Sequence, residues 1–186
     1  GFVWSLQELA ERALIGNPAR DSKGRYVWRR EYQYGAKGHD YVPGSAFKEI
    51  LSGGGSLQSQ MTHVYAPNPF GGGGFDCGIQ FNKPEKGQAE ARVHRDSPIA
   101  LTWIAPVACT VDVVTKVTPK NPKVKARTTL VLGDKVLGTT VARKIQVGKG
   151  DEIRLVIENL NPWSGGDLFA IEKFDVIWAK ESERAN

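Results

Sequence analysis

Apolar and polar positions alternate with a period of two along most of the chain from residue 58 onward. Segments 60–66, 75–82, 90–94, 99–104, 107–117, 126–132, 141–147, 152–158 and 168–178 are rich in Val, Ile, Thr and aromatic residues, with Gly, Pro, Asn or Asp between them. Short strands joined by turns leave this pattern. In 152–158, Ile153, Leu155 and Ile157 share one face and Glu152, Arg154 and Glu158 the other, as a half-buried strand requires. No helical period of ten or more residues separates these segments, which excludes parallel βαβ units. The pattern predicts an all-β fold, an antiparallel β-sandwich of the jelly-roll kind.

Before residue 58 the period changes. Ser5 and Glu8 stand as S-x-x-E, a capping box in which each side chain satisfies a free backbone N–H of a first helical turn. Leu6, Leu9, Ala10, Ala13 and Leu14 then recur at helical spacing until Gly16 and Pro18, so residues 1–16 are expected to form a short helix capping the sandwich. Residues 17–57 hold one strand, 26–34, and an irregular Gly-rich stretch in which 45–51 admit a brief helix; 58–179 form the main sandwich and 180–186 a tail, all in one domain. Tyr26, Trp28, Arg30, Tyr32 and Tyr34 share a face of their strand. Packing is the expected role of such a face, with a flat binding platform as the alternative.

Composition narrows the classes. The chain has 186 residues, 40% hydrophobic and 24% charged, which is globular, and no apolar run approaches the roughly 18 residues of a helical membrane span. The start, Gly1-Phe2-Val3-Trp4, has no basic n-region and says nothing about compartment. Net charge is +5, and the densest basic stretch is Lys116, Lys120, Lys123, Lys125 and Arg127, which Pro119 and Pro122 mark as a loop. A basic surface attracts anions, such as nucleic acid or a uronate-rich glycan. No aromatic residue interleaves with these cations, as single-strand binders require, so nucleic acid is not expected as a partner.

Cys77 and Cys109 make neither a disulfide framework nor a zinc site. Cys109 shares a strand face with Val107, Val111 and Val113 and reads as a small buried hydrophobe; a Cys77–Cys109 bridge stays open. His39, His63 and His94 lack the close spacing of a local metal-ligand pair. The four glycines 71–74 lack the following Lys-Ser/Thr of a phosphate loop.

The runs Leu101-Thr102-Trp103-Ile104-Ala105-Pro106, Leu130-Val131-Leu132-Gly133-Asp134, Val147-Gly148-Lys149-Gly150-Asp151-Glu152-Ile153 and Phe174-Asp175-Val176-Ile177-Trp178 stand in this order. Together they resemble the jelly-roll, galactose-binding-like carbohydrate-binding modules of bacterial secreted glycan-active enzymes. The likeness is best over residues 98–178, and the segment from Asn17 to Trp28 resembles the opening of such modules. It implies a non-catalytic carbohydrate-binding or accessory module, secreted or at the cell surface, within a larger multidomain protein. Its partner would be a polysaccharide or oligosaccharide. The resemblance also implies a structural calcium at a strand edge, with Asp175 in the place of the metal-binding Asp and Glu8 or Glu11 as its partner.

Sugar platforms use aromatic rings stacked on the apolar face of a pyranose. Trp163 lies among Asn159, Asn161, Pro162, Ser164, Gly165, Gly166 and Asp167, with no strand period to bury it. Asn161 and Asp167 are placed to bond sugar hydroxyls; the alternative is a Trp163 that plugs the end of the sandwich. Tyr65, Phe70 and Phe75 flank the glycine tract as a second platform. An enzyme reading, a small jelly-roll polysaccharide lyase or hydrolase, would use His63 and Tyr65, which fall on one strand face, to move a proton beside a uronate carboxylate. Cross-strand packing is the plainer role for that pair. A third reading is a structural or assembly domain.

Overall fold

The computed structural model describes residues 2–6, 28–33, 40–49, 78–83, 88–95, 97–161 and 166–179. They form two antiparallel sheets. The strands are β1 (Phe2–Trp4), β2 (Trp28–Tyr32), β3 (Lys48–Glu49), β4 (Gly78–Lys83), β5 (Gln88–Val93), β6 (Ile99–Ile104), β7 (Cys109–Pro119), β8 (Ala126–Leu132), β9 (Lys135–Gly138), β10 (Val141–Val147), β11 (Glu152–Asn159) and β12 (Asp167–Ala179). One sheet runs β10-β7-β12-β5-β4, with β1 also on β12, and the other runs β3-β2-β6-β11-β8-β9.

The two sheets share one core. Trp28 of β2 meets Phe174 of β12 edge to face at 5.2 Å, a preferred aromatic geometry. Ile99, Leu101, Trp103, Ile153, Leu155 and Ile157 from one sheet join Val111, Val113, Phe169, Ile171 and Val176 from the other, all without exposed surface. The arrangement is sandwich-like. The Trp28 and Tyr32 face is therefore interior packing, and Arg30 is buried on it too.

Two bulges keep apolar residues in phase with the core. In β12 the register to β7 shifts between Ile171 and Lys173. Phe169 and Ile171 face inward before the shift, Phe174 and Val176 after it. An extra residue in one strand resets a period-two pattern in this way. In β10 the shift falls between Ala142 and Ile145, where Lys144 takes a φ of 53°. The Asp112 carboxylate accepts the Lys144 N–H at 2.8 Å and pins that bulge.

Three short strands differ from the sequence reading. Residues 2–4, assigned to the capping helix, instead pair with 176–178 of β12. Trp4 is drawn there by burial against Trp103 at 5.0 Å and Trp178 at 6.0 Å. Residues 7–16 of the expected helix lie outside the described residues. Lys48–Glu49, inside the brief helix allowed at 45–51, pair with β2 as an edge strand. The hairpin β8–β9 turns through Gly133, whose φ of 60° suits the first position of a two-residue turn.

Strands that cross between sheets gather their loops at two ends. Loops β5–β6, β7–β8 and β11–β12 lie at one end, since Val93 pairs with Asp167, Pro119 with Phe169, and Asn159 with Ala126. The other end carries the Trp4, Trp103 and Trp178 cluster and the β10–β11 turn.

The outer face of the second sheet is half closed. Ala100, Val131 and Val156 are buried there beneath Tyr41 and Phe47. Beside them Glu31, 3% exposed, pairs with Arg29 at 3.1 Å and Arg154 at 2.9 Å and accepts the Thr102 hydroxyl. Glu152 bonds both arginines as well. Burial alone would raise the Glu152 carboxyl, but Arg29 and Arg154 hold it below its ordinary value.

Two outcomes are expected. Gly150 has a φ of 90°, so Gly150→Ala should lower unfolding stability by about 1–2 kcal/mol, read from urea denaturation. The depressed Glu152 carboxyl stabilises the fold fully above the unfolded glutamate range and loses that contribution as pH falls below that range through its folded value. The gap between wild-type and Glu152→Gln urea midpoints should therefore be constant near neutrality and shrink in acid. A gap that does not change with pH would deny the carboxylate that role.

Candidate functional site

The loop end is built from the last residues of β5, β7 and β11 and the first of β12. Asn159 closes β11 with only 1% of its surface exposed. Its amide Nδ2 donates to the Val93 carbonyl at 2.9 Å and to Asp167 Oδ2 at 2.9 Å. Its Oδ1 accepts the Asn161 backbone N–H at 2.9 Å. Asn161 Nδ2 donates to the same Asp167 oxygen at 3.2 Å. A buried amide that fills three bonding positions fixes the backbone on both sides of it. The first and last residues around segment 162–165 are thereby tied together.

Neighbouring loops brace this neck. The Leu160 N–H donates to the Lys125 carbonyl at 3.0 Å, and the Lys120 N–H to the Leu168 carbonyl at 2.9 Å. The β7–β8 loop is itself ordered: Asn121 Oδ1 accepts the Lys123 N–H at 3.0 Å, Asn121 O accepts the Val124 N–H at 3.0 Å, and Val124 is buried in the core. Across the β5–β6 connection, Gln33 donates its N–H to Pro98 and accepts the Ser97 hydroxyl. His94 is buried here and has a partner.

The described carboxylates near this end are engaged. Glu158, 3% exposed, takes a two-pronged bond from Arg127 at 3.0 and 2.7 Å and the Tyr41 N–H at 3.1 Å. Asp40 meets Arg95 at 3.2 Å and Arg127 at 3.5 Å. Glu90 pairs with Lys120 at 3.1 Å, and Glu172 with Lys116 at 3.1 Å. The hydrogen bond from Lys116, helped by Thr118, lowers the Glu172 carboxyl from its ordinary value.

Of the residues singled out in sequence, the structure brings Asn161 and Asp167 together. Trp163, His63, Tyr65, Phe70, Phe75, Cys77, Glu8 and Glu11 lie outside the described residues. Asp175 is elsewhere, eight residues up β12 from Asp167, or roughly 25 Å along a strand. It faces outward beside Val114, with the Lys173 ammonium at 4.0 Å. Among the described residues no group of three or more His, Cys, Asp or Glu comes together to hold a metal ion. Cys109 is a buried thiol whose Sγ donates to the Val107 carbonyl, and burial pushes its pKa up; a thiol so placed is a packing group rather than a nucleophile.

Asn159 is the residue that the sequence reading passed over. As the last strand residue before Leu160-Asn161-Pro162 it looks like turn punctuation. No protein family, no curated protein and no solved structure matches the chain.

Asn159→Leu keeps the branched outline of the side chain and removes all three bonds, leaving the Val93 carbonyl and the Asn161 N–H without their partner. We expect a loss of about 2–4 kcal/mol, read from chemical denaturation. Hydrogen exchange at the Asn161 amide should accelerate beyond what the global loss explains. Unchanged exchange there would show that the neck is held by other bonds.

Proposed function

We propose that the chain is a jelly-roll carbohydrate-binding module, an accessory domain of a larger secreted or surface-held protein. It binds polysaccharide through the β11–β12 loop. The observation that carries this reading is the tied neck: Asn159, Asn161 and Asp167 interlock at the base of the segment that bears Trp163. A loop fixed at its base offers an aromatic ring at small entropic cost, which is where weak sugar contacts gain affinity. Asn161 and Asp167 then act by positioning the loop, a different role from the direct sugar contacts their residue types suggest.

The strand order supports the jelly-roll part of the reading. From β5 onward, β5-β12-β7-β10 line up in one sheet and β6-β11-β8-β9 in the other. Consecutive strands cross between the sheets except at the β8–β9 hairpin. Interleaving of eight strands is what the two Greek keys of a jelly roll call for, and it supports that reading. A binding rather than a catalytic role is supported by the described carboxylates of the loop end. Glycoside hydrolysis needs two of them poised for acid and base work, and Glu158, Glu90, Asp40 and Asp167 are each held by a cation or an amide.

The test is affinity electrophoresis against neutral and acidic polysaccharides, with Trp163→Ala alongside. Retardation by a glycan that is lost in the variant, with no new reducing ends and an unchanged circular dichroism spectrum, is the expected result. New reducing ends or unsaturated products would replace this reading with an enzyme. Full retardation of Trp163→Ala would move the binding surface away from the loop.

A further inference from the structure

Positive charge at the loop end is unevenly spent. Lys116, Lys120 and Arg127 are paired with Glu172, Glu90 and Glu158. The side chains of Lys123, Lys125 and Arg92 have no ion pair or hydrogen bond among the described residues. Lys123 and Lys125 are exposed on either side of Val124, whose burial anchors the loop between them. The Lys125 carbonyl accepts the Leu160 N–H, so this residue is attached to the start of the β11–β12 loop. Arg92 stands on β5 opposite Leu168, next to the loop's other end. Three uncommitted cations thus flank both ends of the 160–168 segment. The one carboxylate inside it, Asp167, is turned to the amides of Asn159 and Asn161.

We infer that the ligand of this end is an anionic glycan, with carboxylate or sulfate groups repeated along the chain. The inference rests on the carbohydrate-binding reading above and specifies its substrate class. Lys123 and Lys125 are carried on a backbone that is hydrogen-bonded within its loop and to β12. Their charges therefore stay near the loop without each being fixed, which suits a polymer whose anionic groups recur at sugar spacing. Such surface contacts add modestly one by one and are weakened by salt.

The experiment is affinity electrophoresis with polygalacturonate, chondroitin sulfate, fully methyl-esterified galacturonan and a thymidine oligonucleotide, with and without about 0.5 M NaCl. Lys123→Gln/Lys125→Gln is compared with Lys135→Gln/Lys149→Gln, which removes two exposed lysines at the opposite end. The expected result is retardation by an acidic glycan that salt weakens and esterification abolishes. The first double variant should raise its Kd about tenfold, and the second should leave it unchanged. Equal binding of charged and esterified galacturonan, or equal loss in both double variants, overturns the charge assignment and leaves glycan binding standing. Retardation of the oligonucleotide alone overturns it in favour of nucleic acid. No retardation by any charged polymer overturns it as well; Trp163-dependent retention on a neutral glycan would then show that the module reading survives, and its absence that both fail.

Discussion

Two sheets must bury their inner faces against each other, and the rest of the molecule follows from that constraint. Trp28, Trp103, Phe169 and Phe174 leave no surface exposed, and each is supplied by a strand whose alternate residues face outward. Burying a large apolar side chain stabilises by roughly 1.5–3 kcal/mol, so a slip of phase in a long strand would be costly. The chain avoids the cost locally. β12 is 13 residues long, and a straight alternation from Phe169 would point Phe174 and Val176 at solvent. The bulge at 171–173 returns them to the core. The same solution recurs in β10, where Lys144 accepts a left-handed conformation so that Ala142 and Ile145 both reach the interior side.

The outer faces are under no such demand, and the two sheets treat theirs differently. The face of β7 and β12 carries exposed pairs such as Lys116–Glu172 and Lys173–Asp175, which add little to stability. The face of β2, β6 and β11 is overlaid by residues 40–49, with Tyr41 and Phe47 on Ala100, Val131 and Val156. That cover takes charged side chains out of water. Desolvation of a charge is tolerated only with partners, and Glu31 accordingly holds two arginines and a threonine hydroxyl, while Arg154 also lies 5.4 Å from the centre of the Phe47 ring. The network orients the cover as much as it stabilises it, because Arg154 touches the strap and the sheet at once.

The long strands were legible because burial on one face imposes a period that local sequence must obey. Segments 99–104, 126–132 and 141–147 coincide with β6, β8 and β10 at both ends. β1, β3 and β9 have three, two and four residues, too few to display a period, and their pairing is dictated by partners distant in sequence. The alternation in β11 correctly turned Glu152, Arg154 and Glu158 away from the core. It had no means of showing that Glu158 is covered, since Tyr41 and Arg127 come from other parts of the chain. At the loop end Asn161 and Asp167 were visible as polar residues around an isolated tryptophan, but the buried Asn159 that joins them bonds to the Val93 carbonyl, 66 residues away in sequence.

The two ends of the sandwich differ in chemistry, and the difference lies in what closes each of them. At one end Trp4, Trp103 and Trp178 fill the space between the sheets with rings. The indole N–H groups of Trp103 and Trp178 find no acceptor among the described residues, a cost of roughly 1–3 kcal/mol each that ring burial must offset. An end closed in this way is a stopper. At the other end the closure is polar: an amide–carboxylate relay, backbone bonds between neighbouring loops, and three cations without a carboxylate partner among the described residues. Polar closure fixes loop backbones without consuming the surface above them. The difference follows from the sequence positions of the tryptophans: four of the five, Trp4, Trp28, Trp103 and Trp178, stand near strand ends on the ring-filled side, and the opposite end is left as the one that stability does not need to seal with their rings.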